Sequence, residues 1–171
     1  AIEDPVEKHL PEFKGQWMVE KREDGKLILK RPAHAITIRD LLTHTSGLAN
    51  TSTPRTESTL GELVMSYSKT PLNFKPGSKW SYSNAGINTL GRIVEVVSGV
   101  PFAKFLQERV LDPCGMKDTT FWPTPAQAKR VAKSYRPDKN GELQQVEVRF
   151  LAGGISNRKR TPYPAGGLYS T

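Results

Sequence analysis

The chain has 171 residues, 36% of them hydrophobic, and a formal net charge of +8. That length can bury a core, and the composition lies outside the disordered range, so a folded domain is expected. No run of about 18 apolar residues is present to cross a membrane, and the first residues lack the charged, apolar and small-residue order of a secretory leader.

The stretch through Phe13 reads as loop, because Pro5 and Pro11 interrupt any helix. Trp17-Met18-Val19 and Leu27-Ile28-Leu29 flank Asp24-Gly25, a pair that tolerates positive φ, which predicts a β-hairpin. Thr37-Ile38-Arg39-Asp40 has the pattern of a capping box, with Ile38, Leu41 and Leu42 as the apolar stripe and Gly47 as the stop. Residues 48–58 are polar and rich in threonine, so a surface loop is expected there. Thr59 caps a second helix through Leu60, Leu63, Val64 and Tyr67, ending before Pro71.

Pro76-Gly77 turns the chain into Trp80-Ser81-Tyr82-Ser83-Asn84. The following helix, from Ala85, places Ile87, Leu90, Val94 and Val97 on one face and closes at Gly99 and Pro101. Another runs through Phe102, Phe105, Leu106 and Val110 to Asp112-Pro113, and an Asn140-Gly141 turn between Ser134-Tyr135 and Val146-Glu147-Val148 predicts a second hairpin. The single cysteine, Cys114, excludes an intrachain disulfide and is expected as a small buried hydrophobe.

Charge is uneven: residues 121–171 hold 9 basic and 3 acidic side chains, which is +6 of the total. Lys129, Arg130, Lys133, Arg136 and Lys139 are spaced as a helix face running into a turn, and Arg158-Lys159-Arg160 form a contiguous triplet. A solvated face is one reading; a site for a polyanion is the other. His9 and His34 fall in separate polar stretches, so no metal set and no cofactor is expected.

Several phrases in order carry a resemblance: Asp4-Pro5-Val6 with Leu10-Pro11, residues 36–48, Lys75-Pro76-Gly77 with residues 80–84, Gly91-Arg92-Ile93-Val94-Glu95, Pro113-Cys114-Gly115-Met116, and residues 165–171. Together they resemble the serine β-lactamase and penicillin-binding-protein superfamily, most closely its branch of class C β-lactamases, D-Ala-D-Ala carboxypeptidases and related esterases. The resemblance implies a nucleophile in an S-x-x-K motif on a hydrophobic helix upstream of Tyr-x-Asn, and a third motif, Lys-Thr-Gly or a His-x-Gly variant, on a later strand. Neither is found at the matching place here. The expectation is therefore an internal piece of such a hydrolase, residues 1–171 forming one partial domain and inactive alone. Its expected fold is mainly α with short β-hairpins: the helical lobe of a β-lactamase-like α+β fold, lacking most of the central sheet. The family also suggests an extracytoplasmic or periplasmic setting.

Acyl transfer from a serine needs a base for the hydroxyl proton, an acid for the leaving group and donors for the oxyanion. By the resemblance, Tyr82 is the candidate base, and Asn84 is the asparagine that bonds the substrate amide and the motif lysine. A phenol, with an ordinary pKa of about 10, acts near neutrality only where cations stabilise its phenolate. Taken alone, the same two residues also fit a packed aromatic and an N-cap for the Ala85 helix. Ser66-Tyr67-Ser68-Lys69 and Ser156-Asn157-Arg158-Lys159 match S-x-x-K literally, but the first lies near a helix end and the second in a basic loop, not at the start of an apolar helix. His44 sits beside Thr43, Thr45 and Ser46, yet neighbours on a helix do not face one another and no third group orients the ring; by the resemblance, this phrase is a structural turn packed behind the site. The substrate would be a small amide, ester or peptidoglycan-like molecule. Nucleic acid is not expected as a partner, while self-association through exposed apolar surface is. A noncatalytic module binding a polyanion through its basic last third is the alternative.

Overall fold

The computed structural model describes residues 1–50, 58–146, 154–155 and 157–170. Among these residues the protein is a small α+β piece with five α-helices and two separate two-stranded sheets. The N-terminal stretch is not plain loop: it folds into 3-10 turns at Val6–Lys8 and Pro11–Phe13, the second using Pro11 at its first position, where no N–H is needed. Val6, Leu10 and Phe13 are thereby placed in the core.

Strands β1 (Met18–Glu23) and β2 (Lys26–Lys30) pair antiparallel with Glu23 opposite Lys26, around Asp24 and Gly25 at φ 50 and 73. This is the expected hairpin. A second one, β3 (Ser134–Pro137) with β4 (Leu143–Val146), surrounds the Asn140-Gly141 turn; Glu147 and Val148 lie outside the described residues.

Helix α1 (Ile38–Leu42) opens on Thr37 with both halves of the capping box, Thr37 to Asp40 and back. It stops earlier than Gly47: Thr43 ends it, and His44 takes the left-handed conformation at φ 57. Helix α2 (Leu60–Ser68) repeats the capping box at Thr59 with Glu62. Helix α3 (Asn84–Ser98) ends on left-handed Gly99 as expected, but its buried side is not the expected stripe. Ala85, Gly86, Asn88, Thr89, Gly91 and Ile93 face inward, while Val97 is 67% exposed. Small residues win that side because neighbours come very close: a Cβ on Gly91 would lie 2.0 Å from Pro164 Cγ. Asn88 uses the same closeness, donating to the Tyr67 hydroxyl at 3.2 Å and accepting from Ala165 N–H at 3.0 Å.

Helix α4 (Phe102–Leu106) runs into a wide π turn over Gln107–Leu111, and α5 (Pro125–Ala128) is a single turn. Cys114 is exposed in the turn that follows Leu111, so the buried-hydrophobe expectation does not hold. The main core joins the N-terminal turns to α1, α2 and α3 through Ile36, Leu41, Leu60, Leu63, Val64, Tyr67, Leu72 and Ala85. That core sits beneath the segment carrying Tyr82.

Candidate functional site

The site is built from the turn after α1 upward. Asp40, buried on α1, accepts from Thr45 Oγ1 at 3.1 Å, and its backbone carbonyl accepts from Thr45 N–H at 2.8 Å. These bonds fold residues 43–46 into a tight turn and hold His44 outward at positive φ. The His44 carbonyl then accepts from Ser81 N–H at 2.9 Å, and its ring Nδ1 accepts from Ser83 N–H at 3.1 Å. Because Nδ1 is the acceptor, the neutral ring carries its proton on Nε2. The ring also meets Tyr82 with centroids 4.8 Å apart and Trp80 at 6.1 Å. His44 thus lies in a turn and braces the segment through its carbonyl and its ring.

Ser83 is the N-cap of α3: its hydroxyl accepts from Gly86 N–H at 3.1 Å. Asn84 is the first helical residue, so the reading of Asn84 as the cap is replaced. Tyr82 is 55% exposed and Asn84 is exposed beside it. Neither the phenol nor that amide has a hydrogen-bond partner among the described residues. Trp80, at 66%, and Leu42, at 52%, add apolar surface.

The residue that sequence reasoning missed is Asn50. Residues 48–58 read as surface loop, but Leu48 and Ala49 are buried and Asn50 reaches back to the site; residues 51–57 lie outside the described residues. Its Nδ2 donates to the Tyr82 carbonyl at 3.2 Å, and its Oδ1 accepts from Ala85 N–H at 3.1 Å. An asparagine after two apolar residues gives no local hint of a partner so far along the chain.

The other serines stand apart. Ser66 lies in the last turns of α2 with its hydroxyl donating to the Leu63 carbonyl at 2.6 Å, and Lys69 is that helix's C-cap. Ser156 lies outside the described residues. His9 faces Asp4 at 3.4 Å and His34 faces the Ala35 carbonyl at 3.0 Å. Among the described residues no group of three or more His, Cys, Asp or Glu could hold a metal ion, and no helix is long and apolar enough to cross a membrane.

The basic last third does not form one helix face. Lys129 and Arg130 follow the short α5, Arg136 is on β3 and Lys139 is in the turn beyond it. Arg130 is paired with Asp118, whose carboxyl it holds below the usual range. Arg160 is buried at 3% exposure, which lowers its own pKa, so the triplet at 158–160 is not a continuous exposed patch.

Comparison with known proteins matches this arrangement to one family. Its model, described as Beta-lactamase, covers residues 1–171. Lovastatin esterase of Penicillium rubens is 33% identical over 156 residues, which is 82% of this chain and 38% of that protein. Esterase EstB of Burkholderia gladioli is 32% identical over 165 residues, 87% of this chain and 38% of that protein. Among solved structures, EstCE1, a hydrolase with promiscuous acyltransferase activity, superposes with a TM-score of 0.74 at 25% identity, covering 98% of this chain and 48% of that one. The chain thus spans 38% of the length of each of these two curated relatives. Because the family model matches every residue from 1 to 171, the chain belongs to the Beta-lactamase family.

Proposed function

We propose that this chain supplies the tyrosine and asparagine of an acyl-transfer site in a serine hydrolase that cleaves esters or amides through an acyl-enzyme. The serine and its lysine are contributed from outside residues 1–171, and this piece is the helical lobe resting against the sheet that carries them. Tyr82 takes the serine hydroxyl proton as the serine oxygen bonds to the acyl carbon. It then returns that proton to the departing alcohol or amine, and water repeats the sequence to release the acid. Asn84 donates from its amide to the substrate carbonyl or amide side and accepts from the lysine ammonium. Esters are favoured over amides, because both similar curated proteins reported above are named as esterases.

The observation that supports this reading most is the pair itself: two polar side chains on one segment, exposed and unbonded among the described residues, next to peptide units that Asn50 and His44 hold. A helix cap would have used the Asn84 side chain, and Ser83 fills that role instead. The test is the full-length protein with a p-nitrophenyl ester and a fluorophosphonate. Labelling of one serine is expected, and Tyr82→Phe should lower the acylation rate by about 10²-fold or more without changing the melting temperature. The 171-residue chain alone should turn over neither that ester nor nitrocefin. Wild-type rates in Tyr82→Phe, or turnover by the chain alone that Ser66→Ala abolishes, would sink the assignment.

A further inference from the structure

We propose that Asn50, backed by His44, is a positioning residue that fixes the orientation of Tyr82 relative to Asn84. The inference rests on the functional reading above. The Tyr82 carbonyl belongs to the peptide unit that follows Tyr82, and the Ala85 N–H to the unit that follows Asn84. One planar side-chain amide holds both, donating to the first at 3.2 Å and accepting from the second at 3.1 Å. Its Oδ1 also lies 3.4 Å from the Ser83 hydroxyl. The unit after Tyr82 is gripped at its other end too, where Ser83 N–H donates to His44 Nδ1. The backbone torsions that aim the two candidate catalytic side chains are therefore set by side chains from the turn and loop after α1.

The helix cap cannot do this work. Ser83 fixes where α3 begins, through Gly86 N–H, but Tyr82 precedes the cap, outside the helix. Without Asn50 the Tyr82 carbonyl loses the one side-chain donor it has among the described residues, and the tyrosine can rotate relative to the helix. Asn50 is itself exposed, so its bonds compete with water and contribute little to stability. Their effect is on geometry, where a displacement of about 1 Å can cost roughly 10²-fold in rate.

The test compares wild type, Tyr82→Phe, Asn50→Ala and Asn50→Asp in the full-length protein. For each, kcat and KM for a p-nitrophenyl ester are normalised to serine sites counted by exhaustive fluorophosphonate labelling. Asn50→Ala should lower kcat per labelled site by roughly 10- to 100-fold, with KM changed less than about threefold. Asn50→Asp keeps the acceptor for Ala85 N–H but turns a carboxylate toward the Tyr82 carbonyl, so it should fall with Asn50→Ala. Wild-type kcat in both Asn50 variants, alongside a large loss in Tyr82→Phe, would overturn the clamp and leave the functional reading standing. A loss confined to the number of labelled sites would overturn it as well, since that is a folding defect. Full activity in Asn50→Asp alone would overturn the two-ended clamp. An unchanged Tyr82→Phe would remove the functional reading, and this inference with it.

Discussion

At Tyr82 and Asn84 the polar side chains face solvent over peptide units that are held, whereas at Arg160 the side chain lies inside and its own polar atoms are left short of partners. Tyr82 and Asn84 offer a phenol and an amide over peptide units bonded to Asn50 and His44. Arg160 donates through Nη2 to the Phe121 carbonyl, and its own carbonyl accepts from Trp122 Nε1 at 3.2 Å. Its Nε and the Tyr169 hydroxyl are buried without a partner among the described residues. Burial moves both titrating groups against their charged forms, lowering the Arg160 pKa and raising that of Tyr169. The contrast separates two uses of polar residues. A side chain offered outward over a fixed backbone is available to a substrate. A cation drawn inward ties two loops together and is withdrawn from any surface field, so formal charge in the last third overstates what a polyanion would meet.

If the site segment is held locally, damage to the core beneath it should cost stability and spare chemistry. Leu41 on α1 is fully buried. Leu41→Ala should destabilise by about 2–5 kcal/mol through lost burial and the cavity it leaves. In the full-length protein, ester turnover per labelled serine should stay within a few-fold of wild type. A collapse of turnover in the molecules that remain folded would show that the segment leans on the core rather than on Asn50 and His44, which would break the comparison.

The second arm of the comparison predicts a smaller effect with the opposite distribution. Gly167 has φ +88, and a Cβ there would come within 2.7 Å of Arg160 Nη1. Gly167→Ala should cost about 1–2 kcal/mol for the left-handed backbone alone, read as a lower urea midpoint, with no change at the Tyr82 side. An unchanged midpoint would mean that the guanidinium can move aside and that the interior position is not what holds these loops.

Local chemistry was legible in the sequence, and distant partners were not. The capping boxes at Thr37 and Thr59 and the Asp24-Gly25 hairpin are set within a few residues, and the structure contains all three. The phrase around Tyr82 pointed to the family by order and spacing. The inward side of α3 was misjudged because periodicity ranks residues by hydrophobicity, while close approach to Pro164 selects for size. Cys114 was misjudged for a related reason: its residue type favours burial, but its place in a turn exposes it. Asn50 was invisible because its meaning lies in a loop-to-helix bond between segments far apart in the chain. The basic face at 129–139 failed because the helix it needed stops at Ala128.

The smallest effect concerns surface carboxylates, and it distinguishes a cap from an ion pair. Glu62 is held below the ordinary carboxylate pKa by Thr59, whose N–H donates to it at 2.8 Å and whose hydroxyl donates at 3.0 Å. Asp118 is held below its ordinary value first by the Arg130 guanidinium and then by Gln127. In both cases the folded pKa is the lower one. The stabilisation is therefore fully present above the unfolded-state value, near pH 4, and is lost as pH falls through the folded value. Thermal midpoints of the chain should accordingly fall on acidification below about pH 4, and Glu62→Gln or Asp118→Asn should each flatten part of that slope. Salt separates the two, because screening weakens an exposed charge pair far more than a hydrogen bond to a backbone N–H. At about 0.5 M NaCl the Asp118→Asn difference should shrink toward zero while the Glu62→Gln difference persists. Equal loss of both would show that Glu62 acts through the charge of its surroundings and not through the Thr59 cap.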